Sequence, residues 1–135
     1  MRKLFSTRIN AGAFNTGMLL MRLGFGILLA NHGFNKLTHY AETKIHMMNF
    51  LGMGTTTTTV MVIFAEFFCA ILVIIGLFTR FACIPIIILM SVALFRAHNG
   101  DILGDGEMAG LYLLGYITLL ITGPGKVSID SMISK

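Results

Sequence analysis

The chain has 135 residues, 56% of them hydrophobic and only 12% charged, with a mean hydropathy of +0.83 and no tryptophan. Soluble domains carry roughly 25% charged residues, so the deficit excludes an ordinary soluble enzyme and points to a membrane protein. The net charge of +4 is spread over scattered Lys and Arg with no aromatic–basic interleaving, which excludes a nucleic-acid partner, and two cysteines make neither a disulfide scaffold nor a zinc quartet.

Residues 1–13 are polar and basic and suit a segment at the membrane surface. Arg2, Lys3 and Arg8 precede an apolar run that is long and lacks a small-residue cleavage site, so it reads as a retained span. The first span is predicted at about residues 14–35. Arg22, Phe25, Leu29, His32 and Lys36 follow three-and-four spacing and share one helix face. A guanidinium facing lipid costs at least ~2.5 kcal/mol, so that face should turn into the protein.

Residues 37–59 form the longest connection. Ile45, Met48 and Leu51 make one helical stripe and His39, Glu42 and His46 another, which predicts a short amphipathic helix at the interface. The His39, Glu42 and His46 stripe is read as that helix's polar face, not as a metal site. Gly52 and Gly54 should end it, and the threonine run 55–59 should cap the next helix. The second span is predicted at 60–78 with one ionisable residue, Glu66, followed by a tight turn at Thr79 and Arg80. The third span, 81–96, carries Pro85 near its first turn and is charge-free up to Arg96; it is short for a crossing. A glycine-containing polar loop leads to the fourth span, 107–122, which Gly123-Pro124-Gly125 stops.

These elements predict an all-α, up-down-up-down four-helix membrane bundle in a single domain over 1–135. Nearly unbroken apolar runs at 67–77 and 81–95 leave no polar face, which a soluble bundle would need. Four spans put both termini on one side. Arg2, Lys3, Arg8, Arg80, Lys126 and Lys135 then face Lys36, Lys44 and Arg96 across the membrane. The excess predicts cytoplasmic N- and C-termini in a bacterial cytoplasmic (inner) membrane.

Counting helix rise from Phe14 and Phe78 puts Arg22 ~12 Å and Glu66 ~18 Å deep, within reach of an arginine side chain. The expectation is a structural ion pair, Arg22–Glu66, flooring an outward-opening polar cavity. Arg22 and Glu66, with His32, Lys36, Arg96 and His98 standing above them, would be the six ligand-binding residues, and the loop would contribute Asp101 and Glu107. The same pair could merely join two helices, or it could hold a ligand or a proton. Cys69 and Cys83, counted the same way, differ in depth by ~10 Å, too far for a disulfide, and read as buried thiols. Gly106, Gly110 and Gly115 suggest close helix packing. Tyr112 and Tyr116 share a face that could line the cavity or the core.

Three stretches carry a resemblance: RLGFGILLANHGFNKL from Arg22 to Leu37, AEFFCAILVIIGLFTRFA from Ala65 to Ala82, and ITGPGKVSID from Ile121 to Asp130. In this order the chain resembles the DoxX family of small four-helix membrane proteins. The resemblance implies a cytoplasmic-membrane protein of a family described as oxidoreductase components, some relatives being linked to a thiosulfate:quinone oxidoreductase and others to oxidative-stress complexes. On that analogy Arg22, His32, Lys36 and Glu66 match the family's polar positions, and His98 matches one found after the third helix. No flavin, haem or iron–sulfur motif is visible, so the expected role is a redox-associated subunit without a covalently bound cofactor. It would bind a quinone or small anion beside a redox partner subunit in the bilayer, and it could form a homo-oligomer. The alternative from another class is a non-catalytic binding or assembly protein, as more distant relatives are thought to be.

Overall fold

The structure, a computed structural model, describes residues 2–97 and 99–134. Among the described residues six helices follow a short 3₁₀ turn at Arg2–Phe5: α1 (Ala11–Thr38), α2 (Tyr40–His46), α3 (Thr55–Ile75), α4 (Thr79–Ala97), α5 (Glu107–Thr122) and α6 (Ile129–Ile133), α3 and α4 each containing a π-helical segment. There is no strand among the described residues. Helices α1, α3 and α4 are long and apolar enough to cross a membrane, and α5 is a shorter apolar helix of 16 residues. Helix α1 packs on α3 and α5, and α4 on α3 and α5, closing a four-helix ring with the predicted up-down-up-down course.

Local chemistry sets each boundary, and several differ from expectation. Asn10 opens α1, its Oδ1 accepting from the Gly12 and Ala13 amides. The threonine run does not cap α3; it forms the first turns of that helix. Thr58 and Thr59 donate their hydroxyls back to the Gly54 and Thr55 carbonyls, so the polar groups are satisfied inside the helix. At the other end α3 stops at Ile75, not at residue 78. Gly76 takes the left-handed conformation (φ 73°), and the Leu77 and Gly76 amides return to the Leu72 and Val73 carbonyls, the bonding of a Schellman stop. Helix α4 therefore opens at Thr79, two residues before the predicted start, and runs through Arg96 to Ala97. With 19 residues it is no longer short for a crossing, and Pro85 falls in its second turn.

Two glycines decide how closely α1 and α3 approach. A β-carbon on Gly33 would lie 2.6 Å from the Phe67 amide nitrogen, and one on Gly26 would lie 2.5 Å from the Ile74 side chain and 3.3 Å from the Ala70 carbonyl. Small residues at such crossings let helix backbones meet, as the sequence suggested for Gly115, which packs under the Phe25 ring. The core between the helices holds Leu29, Val73, Ile86, Tyr116 and Leu119. Cys69 and Cys83 are buried there as free thiols. The true helix ends put them six residues before Ile75 and four after Thr79, ~9 Å and ~6 Å from the α3–α4 turn, so the ~10 Å offset expected from the sequence does not hold.

Candidate functional site

The predicted Arg22–Glu66 ion pair does not form. Arg22 is buried at 2% exposure and spends its guanidinium on backbone carbonyls. Nε donates to Val73 O (3.0 Å), Nη2 to Ile74 O (2.9 Å), and Nη1 to Pro124 O (2.9 Å) and Val127 O. Val73 and Ile74 are among the last residues of α3: Val73 O already accepts from the Gly76 amide and takes Arg22 as a second donor, while Ile74 O has no intrahelical amide to accept from. A cation is favoured at that negative end of the helix. Arg22 is thus a side-chain cap that ties α1, the end of α3 and the segment after α5 together. The depth count failed because α3 ends three residues early while α1 extends well past it at the terminal end.

Glu66 instead accepts from Lys36, with Nζ 2.6 Å from Oε2. Glu66 lies in a π-helical segment of α3, Phe64–Cys69, and its side chain is almost fully buried. The Gly33 contact brings α1 onto the Glu66–Phe67 backbone, and Lys36 stands three residues further on. Side chains on a helix lean toward its N-terminus, so Lys36 reaches back along α1 to the carboxylate.

Beside this pair is a cavity of about 500 Å³ at the end of the bundle opposite the termini. Its walls are mainly apolar, with Leu29, Val62, Met90 and Ala109 deepest and Met47, Met48, Met61 and Met108 adding adaptable thioethers. Its polar groups include Lys36, Glu66, His32, Tyr112, Thr58, His46 and Asp105. The His32 ring stands edge-on to Tyr112 at 6.2 Å and 90°, and Tyr112 packs on Phe25 at 6.0 Å. Tyr116, one turn on, is core: it is fully buried and its hydroxyl donates to Phe25 O at 2.9 Å.

Of the six predicted binding residues, three line this cavity: His32, Lys36 and Glu66. Arg22 is not among them, because it is bonded to the opposite end of α3. Arg96 is exposed and stands away from the cavity; it lies in a π-helical segment, Ala93–Ala97, where the wider turn shifts which residues face inward. His98 lies outside the described residues. From the loop Asp105 contributes, in place of Asp101 and Glu107. His46 was read as part of an interfacial polar face, and Met47, Met48 and Phe50 come from the same connector. Periodicity places these residues on a surface helix but gives no sign that the connector folds over the bundle end.

A four-helix membrane bundle with a mainly apolar cavity and, among the described residues, one embedded ion pair defines the class of the molecule. The chain matches the DoxX family over residues 17–99, and it belongs to that family. It is 29% identical over 126 residues to the inner membrane protein YqjF of Escherichia coli (strain K12), covering 90% of this chain and 95% of that protein. It is 27% identical over 126 residues to the inner membrane protein YphA of the same strain, covering 84% of this chain and 87% of that protein. No solved structure matches the chain.

Proposed function

We propose that the chain is a redox-associated subunit that binds a quinone in the cavity beside Lys36 and Glu66. The observation that carries this reading is the pairing of apolar walls with one charge-compensated donor. Lys36 offers an ammonium to a carbonyl oxygen, while Glu66 at 2.6 Å cancels its net charge. A neutral, flat ring with oxygen acceptors suits that combination better than a small anion, which would need an uncompensated cation. About 500 Å³ is ample for a ring head, and the methionine side chains can adapt to a tail.

The residues have separable roles in this reading. Lys36 donates to one ring oxygen, and Glu66 holds Lys36 in place. His32, packed against Tyr112, is a proton carrier between the cavity and the outer solution. A quinone held there supplies two-electron, two-proton chemistry, and a partner protein delivers or removes the electrons. The side bearing the cavity is periplasmic if the positive-inside excess sets the orientation.

A short-tailed quinone should raise the unfolding temperature of the detergent-purified protein, by linkage, with ~2.7 kcal/mol of stabilisation at a hundred times Kd. Lys36→Met should abolish the rise and Arg22→Lys should keep it. No rise with ubiquinone-type or menaquinone-type compounds would remove the proposal.

A further inference from the structure

The outward side of α1 differs from that of the other three long helices. Leu20, Gly24, Ile27, Asn31, Phe34 and Thr38 follow alternating steps of four and three, the seam spacing of a coiled coil, and all six are exposed. This face points away from the side that carries Arg22, Leu29 and Lys36, so it belongs to neither the core nor the cavity.

Asn31 is the residue that one copy of the chain leaves without a use. Gly33 lies against Phe67, which stands ~18 Å from the Thr55 end of α3 and ~12 Å from the Ile75 end. Asn31, half a turn before Gly33, is therefore near the middle of the bilayer, and its carboxamide makes no hydrogen bond among the described residues. Other polar side chains in the spans are satisfied locally: Ser91 and Thr118 donate back to the Ile87 and Leu114 carbonyls. The outward residues of α3, α4 and α5 at that depth, such as Phe64, Phe68, Ile88 and Leu114, are apolar. An amide in hydrocarbon has nothing to replace its bonds to water and needs another polar group. Gly17 and Gly24, on the same face, point the same way. A β-carbon on either would meet open space, unlike Gly26 and Gly33, so packing within the chain does not call for them. They leave room for a second helix to come close.

We infer that α1 pairs with α1 of a second copy of this chain, Asn31 meeting its counterpart across a two-fold axis along the membrane normal. Self-complementarity selects the second copy. A carboxamide is both donor and acceptor, so two of them can exchange hydrogen bonds. Copies inserted with one topology present Asn31 at one depth on parallel helices, as an isologous contact requires. The face carries no charge, so nothing opposes its meeting its own image. A lipid headgroup does not reach that depth, and an acyl chain offers no hydrogen bond. Leu20, Ile27 and Phe34 pack between the glycines in the register that Asn31 fixes. The cavity beside Lys36 and Glu66 stays on the side of α1 away from the axis.

The test uses the full chain in lipid vesicles at high dilution. Association is read by energy transfer between two populations labelled at the C-terminus, and the face in contact by cross-linking single introduced cysteines with a bifunctional maleimide. The native cysteines are buried and stay in place. Gly24→Cys and Ile27→Cys should cross-link into dimers, whereas Ile88→Cys, on the outward face of α4, should not. Asn31→Leu should weaken association about tenfold, as loss of an interhelical amide bond in lipid implies, and Asn31→Gln should keep it. Wild-type energy transfer no greater than random dilution gives would overturn the pairing, and so would cross-linking at Ile88→Cys equal to that at Gly24→Cys. Unchanged association in Asn31→Leu, or an equal loss in Asn31→Gln, would overturn the amide contact on which the pairing rests.

Discussion

Arg22 and Glu66 show what a sequence can and cannot say about a single residue. That both turn inward was legible, because each is an ionisable group in an apolar helix. Their partners were not legible, because the depth of each depends on where its helix stops. The stop at Gly76 is a bonding pattern that leaves only a glycine in the sequence. Arg22 reaches four carbonyls on two segments, and a lysine ammonium has three donors and no planar fork to do so. Arg22→Lys should therefore lower stability by ~2–4 kcal/mol in detergent-denaturation measurements, as buried acceptors lose partners. Lys36 and Glu66 should behave as a unit. Lys36→Met strands a buried carboxylate and Glu66→Met strands a half-buried ammonium, but the double variant strands neither. A double-mutant cycle should give a coupling of ~1–3 kcal/mol, with the double variant more stable than the sum of single losses predicts.

Among the elements, the α3–α4 turn is the one whose stability comes from furthest away in sequence. Phe78 sits at a left-handed φ of 49°, a conformation costing ~1–2 kcal/mol for a non-glycine residue, and it has no side chain able to cap α4. Asp130, 51 and 52 residues further along, caps both amides. Asp130→Ala should destabilise the protein by ~1–2 kcal/mol, as loss of an N-cap does, readable in the same denaturation series. At the other crossing, Gly33→Ala would put a methyl against the Glu66–Phe67 backbone and separate α1 from α3. A loss of ~1–3 kcal/mol is expected from this overpacking. The same variant should weaken quinone binding, because Lys36 would be carried away from Glu66; unaltered binding would show that the pair does not depend on this crossing. Neither glycine at the α1–α3 crossing announced itself, since glycines are common in membrane helices and only the partner backbone reveals the close approach.

For the whole molecule, the fold class was readable because composition and unbroken apolar runs leave a membrane bundle as the one arrangement that covers them. The four long helices were legible for the same reason, to within five residues at the ends, whereas the amphipathic helix read from the stripes of residues 39–51 stops at His46, so Met48 and Leu51 lie outside it and Gly52 and Gly54 do not end it. The cavity was legible in its α1 and α3 wall, through His32, Lys36 and Glu66, and at Tyr112 in α5, which the sequence left between cavity and core. Its other walls come from the connector at His46 to Phe50 and from Met108 to Tyr112, which meet through chain reversals that no periodicity encodes. Two ends of one bundle thus have different tasks: Arg22 and Asp130 lock the terminal end, and Lys36 and Glu66 sit at the open end.

Labelling with a photoactivatable quinone, followed by peptide mapping of the wild-type protein in lipid, tests this division most directly. Label that is displaced by excess unlabelled quinone should fall on residues lining the Lys36–Glu66 cavity, such as Met61, Met90, Met108 or Tyr112, and should disappear in Lys36→Met. Displaceable label around Arg22 and the 123–131 segment, or label that excess quinone never displaces, would contradict the account.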